Sequence, residues 1–161
     1  MIVLGIDPGV SGALALLGPN GLLELASVPV CSNGVKRGTV AREVDAHATH
    51  ELLRAWMGRH GAAAEFVLAA IERPLAMRTG VTALSQGDSD GALRAIAATW
   101  AQRVDRVNPA TWKRRFGLIG KGKAESVAEA RRLYGGALPK RLRNDLAEAV
   151  LIAHFAQTEM T

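Results

Sequence analysis

The chain has 161 residues, 48% of them hydrophobic, which suits one domain with a sizeable core. One cysteine, Cys31, excludes an internal disulfide framework and a cysteine-rich zinc site, and no apolar run is long enough to cross a bilayer. The net charge of +5 favours a polyanionic partner, of which nucleic acid is the commonest.

Met1 leads straight into an apolar run, so no signal or transit peptide is expected, and the cysteine usage makes a reducing, cytoplasmic setting the default. Residues 2–6 are branched and apolar and predict a strand buried on both faces. Asp7 stands at its end. Pro8 and Gly9 stop the strand, and Gly9 and Gly12 let backbone pass close to another group. An acid is thus held at a sheet's mouth in a loop without bulk. That suits a metal ion or a phosphate; a capping Asp in a strand-to-loop turn is the simpler alternative.

Residues 13–17 and 22–28 predict a hairpin joined by Gly18-Pro19-Asn20-Gly21. Residues 29–40 hold Lys36 and Arg37 and little periodicity, and read as a mobile basic loop. Asp45 can cap a helix over 46–59, with Leu52, Leu53 and Trp56 as its buried stripe. A second buried strand over 66–71 also ends in an acid, Glu72, and Pro74 breaks it. A loop over 73–80 follows, with apolar Leu75 and Met77.

Residues 83–101 read as a helix interrupted by Gly87 and Gly91; Gly91, Ala92, Ala95 and Ala98 would allow close packing on another helix. A weak strand over 103–107 precedes a short helix opened by Asn108 and Pro109 and holding Trp112, Lys113, Arg114 and Arg115. A loop over 117–122, a helix over 124–134 and a last helix over 142–157 complete the chain. This order argues for a single α/β domain, residues 1–161, with one mixed sheet flanked by helices.

Two strands end in carboxylates, and the last helix holds Asp145 and Glu148 on one face at i, i+3 spacing. If the two strands are neighbours and the helix crosses their ends, four carboxylates converge. So much like charge must take up protons or cations. Oxygen-only ligands favour Mg²⁺ or Mn²⁺, and two such ions can drive phosphodiester hydrolysis. Taken singly, Glu72 could be a solvated strand end, and Asp145 and Glu148 a solvated helix face. Ala147, Ala149 and Ala153 argue against the second, because small residues suit close backbone packing.

Gly5-Ile6-Asp7-Pro8-Gly9, Ile71-Glu72 and Asp145-Leu146-Ala147-Glu148-Ala149, in this order, resemble the RuvC family of Holliday-junction resolvases within the RNase H-like superfamily. Ile71-Glu72-Arg73-Pro74 and Asn108-Pro109-Ala110-Thr111-Trp112-Lys113 look like its phage-encoded branch. The resemblance implies an RNase H-like five-stranded mixed sheet, three antiparallel strands followed by parallel ones. It also implies a homodimeric Mg²⁺-dependent crossover-junction endonuclease that makes paired nicks in four-way DNA junctions, in a bacterial or phage-infected cell. Asp7, Glu72, Asp145 and Glu148 would hold two Mg²⁺ per site, with Mn²⁺ able to substitute; no organic cofactor is implied. Glu148 departs from the family's usual Asp, and Leu75 stands where relatives use an aromatic wedge.

Arg106, Lys113, Arg114, Arg115, Lys121 and Lys123 are expected to neutralise phosphates, with a solubilising face as the alternative. Arg73 and Arg78 would flank Leu75 as it enters the junction; packing of Leu75 and Met77 onto a neighbouring helix or a dimer partner is the alternative. The opening motif also resembles the first phosphate loop of actin-like kinases, but the chain is too short for that two-domain fold. Residues 117–124 nearly match a P-loop, yet Ala124 lacks the hydroxyl that would hold Mg²⁺. The other readings are a nuclease of the same fold acting on other branched DNA or on RNA precursors, and a non-catalytic nucleic-acid binder. His47, His50, His60 and His154 form no ligand set and are expected to be surface or packing residues.

Overall fold

A computed structural model describes residues 1–36, 39–60, 67–74 and 80–160. Among the described residues, seven strands and five α-helices follow in order: β1 (Ile2–Asp7), β2 (Ala13–Gly18), β3 (Gly21–Ser27), β4 (Val30–Lys36), β5 (Thr39–Val44), α1 (Ala46–His60), β6 (Val67–Glu72), α2 (Gly80–Ala97), β7 (Arg103–Val107), α3 (Pro109–Arg115), α4 (Lys123–Tyr134) and α5 (Asn144–Glu159). Five strands form one sheet in the order β3-β2-β1-β6-β7. β1 pairs antiparallel with β2 and β2 with β3, while β6 lies parallel to β1 and to β7. The expected mixed sheet is present, and β1 and β6 are neighbours.

Alternation along the strands sorts their side chains onto two faces. Val3, Ala15, Leu17, Leu68 and Ala70 pack under α5 with Trp112, Leu151 and Phe155. Ile2, Leu4, Ile6, Leu16, Ala69 and Ile71 pack on the other face against Leu53, Trp56, Leu93 and Ile96 of α1 and α2. Both faces are therefore covered, which is why β1, β2 and β6 read as nearly continuous apolar runs. α5 sits directly on β1. A Cβ built on Gly5 would collide with the carbonyl oxygen of Ala149 and lie 2.6 Å from Cβ of Ala153. The missing side chain sets how close the helix that bears Asp145 and Glu148 comes to the strand that bears Asp7.

Asp45 caps α1 as expected: the Ala48 amide donates to Oδ1 over 2.9 Å. Leu53 and Trp56 are buried and Leu52 is half-buried; Thr49 and Met57 complete the stripe. The far end of α1 is tied to β3, where Arg59 and His60 both reach Glu24.

Two expectations are corrected. Where a basic loop was expected, Val30–Lys36 and Thr39–Val44 form a two-stranded antiparallel ribbon, β4 with β5; Arg37 and Gly38 lie outside the described residues. The ribbon's alternation is hidden because Ser32-Asn33-Gly34 is exposed and the register shifts between Ser32 and Val35. α2 is not interrupted at Gly87 or Gly91; burial of Leu93, Ile96 and Ala97 outweighs the helix cost of glycine, about 1 kcal/mol each. The expected second buried strand is present as β6 over its described residues, Val67–Glu72; Phe66 lies outside them. Leu75, Met77 and Arg78 lie outside them too. Among the described residues, no helix is long and apolar enough to cross a membrane.

Candidate active site

Asp7 ends β1, and the chain turns at once. The Gly12 amide donates to the Gly9 carbonyl over 2.9 Å, Gly9 adopts φ +133°, and a Cβ on Gly12 would strike backbone of the same turn. The glycines are thus required by the turn that presents Asp7. This loop forms one wall of a cleft of about 470 Å³. Asp145, Glu148 and Asn144 of α5 form a second wall, and Ser85, Gln86 and Ser89 of α2 a third; Lys123 stands at the rim.

Asp7 is the most perturbed acid. Burial first, then the charges of Glu72, Glu148 and Asp145, push its pKa up to about 8, against a smaller opposing pull from Lys113. A carboxylate so placed takes a proton near neutral pH unless a cation neutralises its surroundings. Glu72, at the end of β6, is also raised by burial. A hydrogen bond from Trp112 and the charge of Lys113 oppose that shift, and Glu148 adds to it.

The other acids have partners within the chain. The Trp112 indole N–H donates to Oε2 of Glu72 over 2.7 Å. Lys113 Nζ lies 3.4 Å from Oε1 of Glu148 and 5.0 Å from the centre of the Trp112 ring. The Ser126 hydroxyl donates to the same Glu148 oxygen over 3.3 Å. Arg143 forks onto Asp145, with Nε 3.0 Å from Oδ1. Among the described residues, no three acid, histidine or cysteine side chains stand close enough together to hold a metal ion. The donor set nevertheless fits a hard divalent cation in its chemistry. It is oxygen-only, and Asp7 is held far from its ordinary ionisation first by burial and then by neighbouring carboxylates.

A smaller cavity of about 190 Å³ opens beside the cleft and shares Lys123, Asn144 and Glu148 with it. Lys113 and Lys121 complete its cationic lining. Lys121, Lys123 and Arg114 are exposed and pair with no carboxylate among the described residues. Arg115 is engaged by Glu159 at 2.7 Å. Arg73 is exposed, and its amide donates to the Val107 carbonyl.

Arg106 is a correction. It pairs with the buried Asp90 of α2 at 3.0 Å, an acid also reached by Arg94 at 3.2 Å, so it ties α2 to β7 rather than facing a ligand freely. The histidines have local roles: His60 meets Glu24, His154 accepts or donates to Tyr134 at 2.7 Å, and His50 lies against Trp100.

Sequence reasoning missed Arg143, Asn144 and the α2 wall. Arg143 and Asn144 adjoin Asp145 and could have been found by that adjacency. Ser85, Gln86 and Ser89 gave no signal, because only the folded sheet brings α2 to the loop after Asp7.

Solved structures that share this fold include two of RuvC. T. thermophilus RuvC in complex with a Holliday junction substrate superposes with a TM-score of 0.63 and 21% identity, covering 99% of this chain and 97% of that one. A Thermus thermophilus RuvC structure superposes with a TM-score of 0.55 and 22% identity, covering 98% and 96%. No protein-family model and no curated protein matches the chain. The chain has the RuvC, RNase H-like fold over nearly its whole length.

Proposed function

We propose that the chain is a structure-selective endonuclease that resolves four-way DNA junctions by paired phosphodiester hydrolysis. The observation that carries this reading is Asp7: a buried carboxylate at the mouth of the sheet, pressed by Glu72, Glu148 and Asp145, in a cleft that adjoins a lysine-lined cavity. The shared fold with a resolvase solved on its junction supports the choice of substrate.

Asp7, Glu72, Asp145 and Glu148 would hold Mg²⁺, two ions per site, with Mn²⁺ as a substitute. Such ions supply an activated water and stabilise the leaving oxygen. The chain's own residues do the rest. The loop after β1 is kept free of side-chain bulk by Gly9 and Gly12, so a strand can approach Asp7. Trp112 fixes Glu72 with a neutral donor that adds no competing charge. Lys121, Lys123 and Arg114 neutralise the flanking phosphates.

Paired nicks need two sites in a fixed relation, so the working form is a homodimer whose twofold axis matches the approximate symmetry of the junction. The α2 face with Gly91, Ala92 and Ala95, together with Ala98 just past the end of the helix, is the candidate contact. The setting is the cytoplasm of a bacterial or phage-infected cell.

The test is cleavage of a four-way junction beside duplex, fork and RNA substrates, with purified protein and Asp7→Asn. Selective, symmetric nicking of the junction, abolished by Asp7→Asn with binding retained, is expected. Preference for an RNA precursor would replace the substrate, and normal cleavage by Asp7→Asn would remove the active site.

A further inference from the structure

Arg143 occupies a position that its helix does not favour. It is the N-cap of α5, in extended backbone at φ −80° and ψ 157°, and its side chain makes no capping bond. The N-terminal end of a helix has partial positive character, so a cation gains nothing from the helix there. What holds Arg143 is Asp145, two residues on. Nε donates to Oδ1 over 3.0 Å and Nη2 donates to Oδ2. Nη2 also approaches the Ser11 carbonyl at 3.5 Å. The guanidinium therefore bridges two residues that line the cleft from different elements, Ser11 in the loop after Asp7 and Asp145 at the start of α5.

A fork of this shape fits a phosphate as well as it fits a carboxylate. The Arg143 side chain is 57% exposed, so water screens the pair and it is weak. A divalent cation at Asp145 brings twice the charge and binds at shorter range, and so wins the carboxylate. Lys113 makes a similar contact with Glu148, but the Trp112 ring anchors it; Arg143 has no such anchor.

We infer that Arg143 is exchanged when metal binds: it holds Asp145 until a divalent cation takes that carboxylate, and its freed fork then grips a phosphate of the strand in the cleft. This rests on the nuclease reading above. It couples the two binding events, because metal at Asp145 creates a DNA contact that the unloaded protein lacks. It also explains why an arginine, rather than a capping Ser or Asp, precedes an acidic first turn.

The first measurement is Mn²⁺ alone titrated by calorimetry into the parent protein, Arg143→Gln and Asp7→Asn, with no DNA. Removing the competitor should tighten Mn²⁺ binding by about three- to fivefold in Arg143→Gln. The second is affinity for a four-way junction in EDTA and in Ca²⁺, at matched ionic strength. The loss of affinity on Arg143→Gln should be about threefold or more larger in Ca²⁺ than in EDTA. Equal Mn²⁺ affinities in the parent and Arg143→Gln, with binding weakened only in Asp7→Asn, would overturn this inference and leave the metal site standing. An equal loss of junction affinity with and without Ca²⁺ would make Arg143 an ordinary surface contact. A parent protein that binds no Mn²⁺ would take down both this inference and the metal-dependent reading.

Discussion

The indole N–H of Trp112 donates to Oε2 of Glu72 over 2.7 Å, and Trp112 has no exposed surface. The bond spans two elements that meet only in the folded sheet: Glu72 ends β6, and Trp112 lies one turn into the helix that follows the neighbouring strand β7. Asn108 starts that helix by accepting from the Ala110 amide over 2.8 Å, so the cap sets the register that aims Trp112 at Glu72. A neutral donor orients the acid without forming an ion pair that a metal would have to break.

Trp112→Phe should therefore cost about 1–3 kcal/mol of stability, because it strands a buried carboxylate oxygen as well as leaving a small void. The Trp112 bond lowers the Glu72 pKa against the effect of burial. Its loss should raise that pKa and move the acidic limb of the cleavage pH profile to higher pH. Chemical denaturation and a pH–rate series check the two parts. A stability loss with an unmoved acidic limb would reduce Trp112 to a packing residue.

Asp7 should make the protein in EDTA less stable as pH rises. Its folded pKa is near 8 and its ordinary value is 3.8, so between these limits the folded state holds a proton that the unfolded state has released. The stabilisation is whole below about 3.8 and is lost as pH passes about 8, with a slope of at most about 1.4 kcal/mol per unit. Thermal unfolding in EDTA from pH 5 to 9 should show the fall. Asp7→Asn should flatten it, and Mg²⁺ should oppose it in the parent protein but not in the variant. A flat parent profile would mean that Asp7 ionises normally.

What the sequence could show followed from how local each signal was. Asp7 and Glu72 stand at the ends of buried strands, each stopped by proline, so short windows reveal them. Asp145 and Glu148 share a helix face by spacing alone. Arg106 misleads because its partner, Asp90, lies on a different element and nothing near Arg106 in sequence announces it. The ribbon of β4 and β5 is hidden for the opposite reason: it is exposed at Ser32-Asn33-Gly34 and its register shifts between Ser32 and Val35, which breaks the alternation that gives strands their pattern. α2 shows propensity overruled by burial at Leu93 and Ile96.

Gly5→Ala tests whether the approach of α5 to β1 sets the site. The added Cβ meets the Ala149 carbonyl and Ala153 Cβ, and both belong to a fully buried stretch of helix that cannot yield cheaply. Overpacking of this kind costs about 1–3 kcal/mol. The helix should move outward, taking Asp145 and Glu148 from Asp7. Cleavage should fall more than stability alone accounts for, and the Asp7 pKa should drop as its like-charged neighbours recede. Wild-type cleavage in a folded variant would show that the close approach is not needed.

Arg106 and the lysine pair differ in what holds them, and one experiment separates them. Arg106 meets a buried carboxylate, Asp90, whose Oδ1 already lacks a hydrogen-bond partner. Arg106→Ala leaves that acid with Arg94 alone, 3.2 Å away and 44% exposed. A stability loss of about 1–3 kcal/mol is expected, with little change in how junction affinity responds to salt. Lys121 and Lys123 are exposed and pair with no carboxylate among the described residues, so nothing in the fold depends on their charge. Lys121→Ala/Lys123→Ala should unfold like the parent protein. Each phosphate contact it loses should reduce the log–log salt slope by about 0.9, and affinity should fall for every sequence alike. Denaturation curves and junction titrations between about 50 and 200 mM salt read both effects. A salt slope that changes in Arg106→Ala but not in the double lysine variant would reverse the assignment. It would move the DNA path from the loop before α4 to the seam between α2 and β7.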